Sequence, residues 1–177
     1  MNRQPIEIND FNLNIFHDWN NGWFLLTAGD FSTGQYNTMT VSWGSMGIMW
    51  GKPFVQVVVR PTRHTYQFME QHSTFTLCAF SKKYRNALNL LGMKSGRYSD
   101  KITEAKLTPV VSTSVAAPGF AEADLVIECQ KMYYDDLEPT HFLAAQIASH
   151  YNQDYHRVYY GEITAILGLE KYRRKLS

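Results

Sequence analysis

From Asn37 to Trp43 the chain alternates without a break: Met39, Val41 and Trp43 fall on one side, Thr38, Thr40 and Ser42 on the other. A period of two is the mark of an extended strand with one apolar and one polar face. Gly22 to Gly29 reads as the strand before it, joined by a polar turn through Ser32, Thr33 and Gly34, so the pair predicts a hairpin. After a Gly- and Met-rich loop closed by Pro53, Phe54 to Val59 is β-branched and apolar, as in a buried strand. Ser73 to Phe80, Asp124 to Tyr133 and His156 to Leu167 are further strands.

Helical patterns are few. Thr62 caps a helix running to about Gln71, and Ser81 caps one over Lys82 to Leu91, ended by Gly92. Met93 to Lys106 reads as a polar loop, and Thr140 to Tyr151 as a third helix containing Phe142, Leu143, Ala145 and Ile147. Helices inserted singly among six or seven strands leave no regular βαβ alternation, which excludes a doubly wound parallel sheet. The expected fold is mainly β, a small antiparallel barrel with peripheral helices.

The chain of 177 residues is the length of one domain spanning 1–177, and 45% apolar against 19% charged residues is an ordinary globular composition. Lys171, Arg173, Arg174 and Lys175 form a basic tail, read as a solvated end; residues 1–170 carry 13 bases and 16 acids. No basic face remains to follow a phosphate backbone, so nucleic acid is not an expected partner. No run approaches the ~20 apolar residues that span a bilayer, and Met1 to Asn9 lacks the apolar core of a secretory signal. The expected location is cytoplasmic, without a membrane partner. Cys78 and Cys129 sit in apolar runs far apart in sequence and read as buried free thiols.

Four stretches carry candidate chemistry. Arg60-Pro61-Thr62-Arg63-His64-Thr65 puts a guanidinium at a strand end and hydroxyls in the first turn of a helix, whose free N–H groups favour an anion such as phosphate. The same residues also suit a plain helix cap and a surface ion pair. The Thr38, Thr40, Ser42 face with Trp43 beside it can hydrogen-bond the rim of a flat heteroaromatic ring, or simply face water. Ser95-Gly96-Arg97 with Asp100-Lys101 offers close backbone approach and two cations. His156 can donate a hydrogen bond or act as acid or base. Since GxSxG, P-loop and GxGxxG motifs are missing, hydrolase, NTPase and Rossmann readings lose support.

Thr38-Met39-Thr40-Val41-Ser42-Trp43-Gly44, then Val57 to Arg60 with Pro61 and Thr65, then Ser95-Gly96-Arg97 with Asp100-Lys101, and finally Asp154-Tyr155-His156 before Tyr160-Gly161-Glu162-Ile163 resemble the flavoredoxin branch of the flavin reductase-like family. The resemblance runs from about Asn14 to Gly168. It implies an antiparallel, Greek-key-like split β-barrel that binds FMN non-covalently at a homodimer interface. By position, the strand Thr38, Met39, Thr40, Val41, Ser42 and Trp43 would line the isoalloxazine through side chains and backbone. Arg60, Pro61, Thr62 and Thr65 would hold the phosphate; Ser95, Gly96, Arg97 and Lys101 would close the site; His156 would stand near the flavin as the catalytic group. Leu137 to Gln153 departs from the family pattern as a helix-like insertion.

The function implied is an FMN-dependent oxidoreductase of NAD(P)H:flavin reductase type, with NADH or NADPH as a transient co-substrate and a small molecule or protein as electron donor or acceptor. The alternatives are a flavoredoxin-like electron carrier and a non-redox barrel for another phosphorylated aromatic ligand. Homodimerisation is expected from the ring's size and from Trp43, Met46, Ile48, Met49 and Trp50, an apolar cluster that a second copy can cover.

Overall fold

The structure, a computed structural model, describes residues 2–174. In chain order it runs β1 (Gln4–Pro5), α1 (Ile15–His17) leading into a π-helical turn (Asp18–Gly22), β2 (Phe24–Asp30), β3 (Gln35–Val41), β4 (Gly44–Met49) and β5 (Lys52–Val59). Then follow α2 (His64–Gln71), β6 (Thr74–Ala79), α3 (Arg85–Met93), α4 (Lys101–Glu104), β7 (Pro109–Val110), β8 (Gly119–Phe120), β9 (Leu125–Asp136) and β10 (Arg157–Gly168). None of these helices is long and apolar enough to cross a membrane.

The main sheet has the order β3-β2-β6-β9-β10-β5-β4, with β1 added to β10 and every pairing antiparallel. Its two edge strands, β3 and β4, are consecutive in the chain and separated only by Ser42 and Trp43. Three peptide steps reach about 10 Å at most. The sheet must therefore curl until its edges approach, giving a barrel split along one seam, and the expected mainly-β split-barrel fold holds.

Both faces of the sheet are covered. Inside the barrel Phe24, Leu26, Val57, Leu77, Ile127 and Tyr159 pack together, and Met69 of α2 joins them. Outside, Leu25, Cys78 and Val126 pack under Leu88 and Leu91 of α3 and Phe120 of β8. Two-sided burial explains why β2 reads as a continuous apolar run. Both cysteines are free and buried, and burial pushes the Cys78 thiol up to about 12.

Several local expectations need correction. The Gly- and Met-rich loop before Pro53 contains edge strand β4, paired from Gly44↔Val57 to Met49↔Lys52; its two glycines masked the strand signal carried by Met46 and Ile48. The polar face of β3 does not face water: Thr38 is fully buried, its hydroxyl accepting from Thr27 and donating to Leu26 O, both at 2.9 Å. The Thr40 hydroxyl donates to Leu88 O of α3 at 2.6 Å. Helix α2 starts at His64 with Arg63 in the capping position, so Thr62 does not cap it. Ser81 makes no cap bond; a 3-10 turn over Lys82–Tyr84 precedes α3, which continues through Gly92 to Met93. The 93–106 loop contains α4, capped by Asp100.

Residues 140–151 are not one α-helix. Two 3-10 turns, Pro139–His141 and Ala145–His150, flank extended backbone at Phe142 and Ala144. Leu143 is fully exposed, so no core surface supports an apolar helix face, and an unpacked helix of this length is marginal in water. The insertion forms the tip of the β9–β10 hairpin, tied at its base by Leu137 N–H donating to His156 O at 3.0 Å. The backbone of the basic tail is docked as far as Arg174, whose N–H donates to Asp10 O at 2.7 Å, and Lys171 pairs with Asp124 at 2.6 Å, while Lys171 and Arg174 themselves stay exposed. Lys175 lies outside the described residues.

At the bulge in β10 between Tyr160 and Gly161, a Cβ on Gly161 would stand 2.5 Å from the Phe75 ring and 2.9 Å from the Cys129 Cβ. Gly161→Ala should therefore overpack the barrel and lower stability by about 1–3 kcal/mol, read as a shift of the urea midpoint with an unchanged slope.

Candidate functional site

Two cavities meet at Arg63. The first, about 170 Å³, lies at the seam where β3 crosses to β4 and is lined by Met39 through Trp43, Val58, Arg60, Arg63 and His156. Trp43, held in the two-residue link, remains 45% exposed, with its ring centroid 5.3 Å from His156 and 5.6 Å from His150. The cavity thus offers a flat aromatic wall and the backbone of an edge strand.

His156 is buried, and its Nδ1 is 3.0 Å from the Tyr151 hydroxyl. With Tyr151 as the donor, the neutral ring carries its proton on Nε2. Burial, reinforced by the nearby Arg60 charge, pushes the imidazole down to about 4. At neutral pH His156 is therefore an uncharged hydrogen-bond donor and not a ready source of a proton.

Arg60 is already engaged. Its Nη1 donates to Asp154 Oδ2 and its Nη2 to His150 O, both at 2.7 Å, and its guanidinium lies 5.1 Å from the Tyr151 ring centroid. That bond to Arg60 holds the Asp154 carboxyl below the usual carboxylate range. Arg60 thus clasps the insertion over the seam. Phe142, Tyr151 and Tyr155 form the insertion's own aromatic cluster, with centroids 5.1–5.8 Å apart.

The second cavity, about 220 Å³, joins the start of α2 to the 93–101 segment and is lined by Thr62, Arg63, His64, Thr65, Ser95, Arg97 and Lys101 among others. No side chain caps α2; Tyr66 N–H donates to Arg63 O at 3.0 Å, and the N–H groups of His64 and Thr65 precede it at this end. Arg63 donates to Gly92 O at 2.7 Å and Arg97 to Thr62 O at 3.2 Å. Lys101 is buried, yet its ammonium donates only to two carbonyls, Leu91 O and Lys94 O, both at 3.0 Å. Burial, together with the Arg63 charge, brings Lys101 down to about 8. Three cations meet here without a carboxylate among their hydrogen-bond partners, an arrangement suited to an anion with several acceptor oxygens.

The expected site residues are thus divided between two cavities. Met39, Thr40, Val41, Ser42, Trp43, Arg60 and His156 line the first; Thr62, Thr65, Ser95, Arg97 and Lys101 line the second; Thr38 and Pro61 line neither. Gly96 works through close approach: a Cβ there would stand 2.3 Å from Asn37 Oδ1. Asn37 in turn donates to Thr65 Oγ1 at 2.8 Å and so joins β3, α2 and the 95–97 loop. Asn37 and Arg63 are the positions that sequence reasoning did not single out. The available signal was that Asn37 shares a strand face with Met39 and Val41, where a polar residue needs a partner.

A family model described as "Flavin reductase like domain" matches residues 16–174. Comparison with curated protein sequences gave no match. Among solved structures, a flavoredoxin of Desulfovibrio vulgaris (Miyazaki F) aligns with TM-score 0.65 and 23% identity, covering 85% of this chain and 70% of that one. A flavoredoxin from Methanosarcina acetivorans aligns with TM-score 0.65 and 22% identity over 96% of this chain and 77% of the other. An FMN-binding protein from Thermus thermophilus with bound p-hydroxybenzaldehyde reaches TM-score 0.68 at 16% identity, over 97% and 86% of the two chains.

The His156 environment sets a pH dependence. Its proton is bound at about 4 in the folded chain and near 6.5 in the unfolded chain, so between those values the unfolded state holds more protons and stability rises with pH. In NMR titrations the His156 ring should stay neutral to about pH 5, and His156→Gln should flatten the stability slope between about pH 4 and 6.5. An imidazole that titrates near 6.5 contradicts the assignment.

Proposed function

The chain belongs to the flavin reductase-like family, and from that premise we propose that it is an FMN-dependent oxidoreductase of the NAD(P)H:flavin reductase type, working in the cytoplasm. The observation that carries this reading is the adjacency of an aromatic seam cavity and a cationic cavity, with Arg63 in the wall of both. A ligand with a flat ring at one end and a phosphate at the other matches that pair. The buried ammonium of Lys101, bonded only to carbonyls, fits a phosphate group in particular.

In this reading the α2 N-terminus, Arg63, Arg97 and Lys101 hold the phosphate, with Thr62, Thr65 and the Ser95-Gly96 backbone around it. Met39 to Trp43 provide the wall for the isoalloxazine. FMN, when bound, supplies the hydride-accepting and hydride-donating chemistry. The chain positions the ring, and the neutral His156 N–H, like the strand backbone, is available to stabilise negative charge. Arg60 acts on the insertion, setting how much of the seam stays open to NADH, NADPH or an electron acceptor.

A homodimer is part of the same proposal. Trp50 is 62% and Ile48 69% exposed on and beside edge strand β4, next to the seam that Trp43 borders. An apolar edge of this kind is a liability unless covered, and a second copy both covers it and deepens a cavity of about 170 Å³ that is small for a three-ring system.

Incubation with excess FMN followed by gel filtration should give a yellow protein with one FMN per chain and a mass by light scattering of two chains. Anaerobic mixing with NADH or NADPH should bleach it. A protein that stays colourless removes the flavin reading, and a yellow protein that neither nucleotide bleaches is the electron carrier.

The phosphate assignment has its own test. Arg97→Ala should weaken FMN by roughly 10- to 150-fold while leaving riboflavin, which lacks the phosphate, within twofold. Because Lys101 titrates at about 8 in the free chain and a bound anion raises it, FMN binding takes up a proton above that pH. Affinity for FMN, but not for riboflavin, should fall as pH rises from about 8 to 9.5, and Lys101→Met should abolish that dependence. Equal losses for both flavins would remove these cations from the phosphate site.

A further inference from the structure

The insertion meets the rest of the chain at few points. Among the described residues, the hydrogen bonds that leave residues 138–155 end on Arg60 and His156: Arg60 donates to Asp154 and to His150 O, and the Tyr151 hydroxyl meets His156 Nδ1. The N–H groups of His141, Phe142, Ile147 and Tyr151 are bonded within the segment. Its aromatic contacts with the body go the same way, from His150 to Trp43 and from Tyr151 to His156 and Arg60. Trp43, Arg60 and His156 all line the seam cavity. The insertion is therefore fastened at the wall of the cavity that it overlies.

The fastening is weak enough to exchange. The side chains of Arg60 and Asp154 are 29% and 21% exposed, and an ion pair of that kind is favoured over its open form by a factor of only about 1.5 to 5. Beside Asp154, Gln153 takes a left-handed backbone, φ 58°, which a residue with a side chain keeps only where its surroundings impose it.

Charge indicates what loosens it. The cavity wall carries two guanidiniums, Arg60 and Arg63, and no carboxylate. Asp154, reaching in from the insertion, is the carboxylate that Arg60 holds. An anionic group entering the cavity meets the same guanidinium and replaces that carboxylate like for like.

We propose that residues 138–155 form a lid over the seam, latched by Arg60, and that Arg60 thereby selects second substrates bearing a carboxylate or phosphate group. Such a group takes the guanidinium from Asp154, and the lid opens as it binds. The inference rests on the reading of the seam as the place where a second substrate reaches the ring; the latch itself is measured in the free chain, without flavin.

Hydrogen exchange of the His141, Phe142, Ile147 and Tyr151 amides reads the latch. Asp154→Asn removes a charge at the surface and leaves the core untouched; it should speed these amides at least ~2-fold while the buried Leu26 and Leu77 amides stay as they are. Benzoate and the neutral benzamide are then titrated, by amide chemical shifts, into the chain with and without FMN, whose colour reports the flavin reading separately. Benzoate should shift the Ser42 and Trp43 amides, bind at least ~5-fold tighter than benzamide, and speed the four lid amides toward their rate in Asp154→Asn. With its internal competitor weakened, Arg60 in Asp154→Asn should hold benzoate at least ~2-fold tighter, whereas a loop that merely supports the cavity would lose affinity. Arg60→Gln should speed the lid amides as well and weaken benzoate at least ~5-fold. Unchanged lid exchange in either variant, equal binding of benzoate and benzamide, shifts confined to Ser95 and Arg97, or benzoate not tightened by Asp154→Asn would each overturn the proposal. A colourless chain that gives the expected results removes the oxidoreductase reading and keeps the lid.

Discussion

The two-residue link between β3 and β4 is the constraint on which the rest of the molecule depends. These strands are opposite edges of one sheet, yet Ser42 and Trp43 alone connect them. The connection forces the sheet to close on itself, and it leaves a seam where no ladder of hydrogen bonds runs between the edges. At that seam edge-strand backbone and a tryptophan ring stay open to a ligand, because a barrel closed there would have paired the same groups within the sheet. One short covalent link therefore shapes the barrel and its main cleft together.

What lies over the seam comes from a different part of the chain. The β9–β10 hairpin carries the insertion at its tip, and Arg60 at the end of β5 fastens it through Asp154 and His150. The insertion has little core of its own, as the full exposure of Leu143 indicates. Its position rests on that clasp, on the Phe142, Tyr151 and Tyr155 cluster and on the Tyr151–His156 contact. The Arg60–Asp154 pair is partly exposed, so it is a modest restraint and compatible with movement of the insertion as a ligand enters.

The strands with a clear pattern were legible in the sequence. The alternation of residues 37–43 and the β-branched run ending at Val59 mark β3 and β5 through their side chains alone. β4 was hidden because Gly44 and Gly47 dilute its pattern, and its strand state depends on pairing with β5, a tertiary fact. The helix expected over 140–151 failed for the converse reason: its local pattern is helical, but no packing surface exists for its apolar side. At the site, most of the residues that the sequence marked line two adjoining cavities, but their grouping is not visible in the linear order. The linear reading singled out Arg60 and passed over Arg63; only the fold gives Arg60 a carboxylate partner and sets Arg63 between two cavities.

The cationic cavity has an energetic logic of its own. Lys101 keeps an ammonium in the interior with carbonyl oxygens as its partners, and moving its titration from 10.5 to about 8 corresponds to a penalty of about 3 kcal/mol on the charged form. Below about pH 8 the folded chain bears that penalty in full. Between about 8 and 10.5 the unfolded chain holds the extra proton, so the ligand-free protein gains stability as the pH climbs. An anion in the cavity removes the penalty instead of adding a contact to a site already content, so part of its binding energy comes from strain built into the free fold. That same strain separates a phosphate from a neutral substituent of similar size, since only a charge of the opposite sign relieves it.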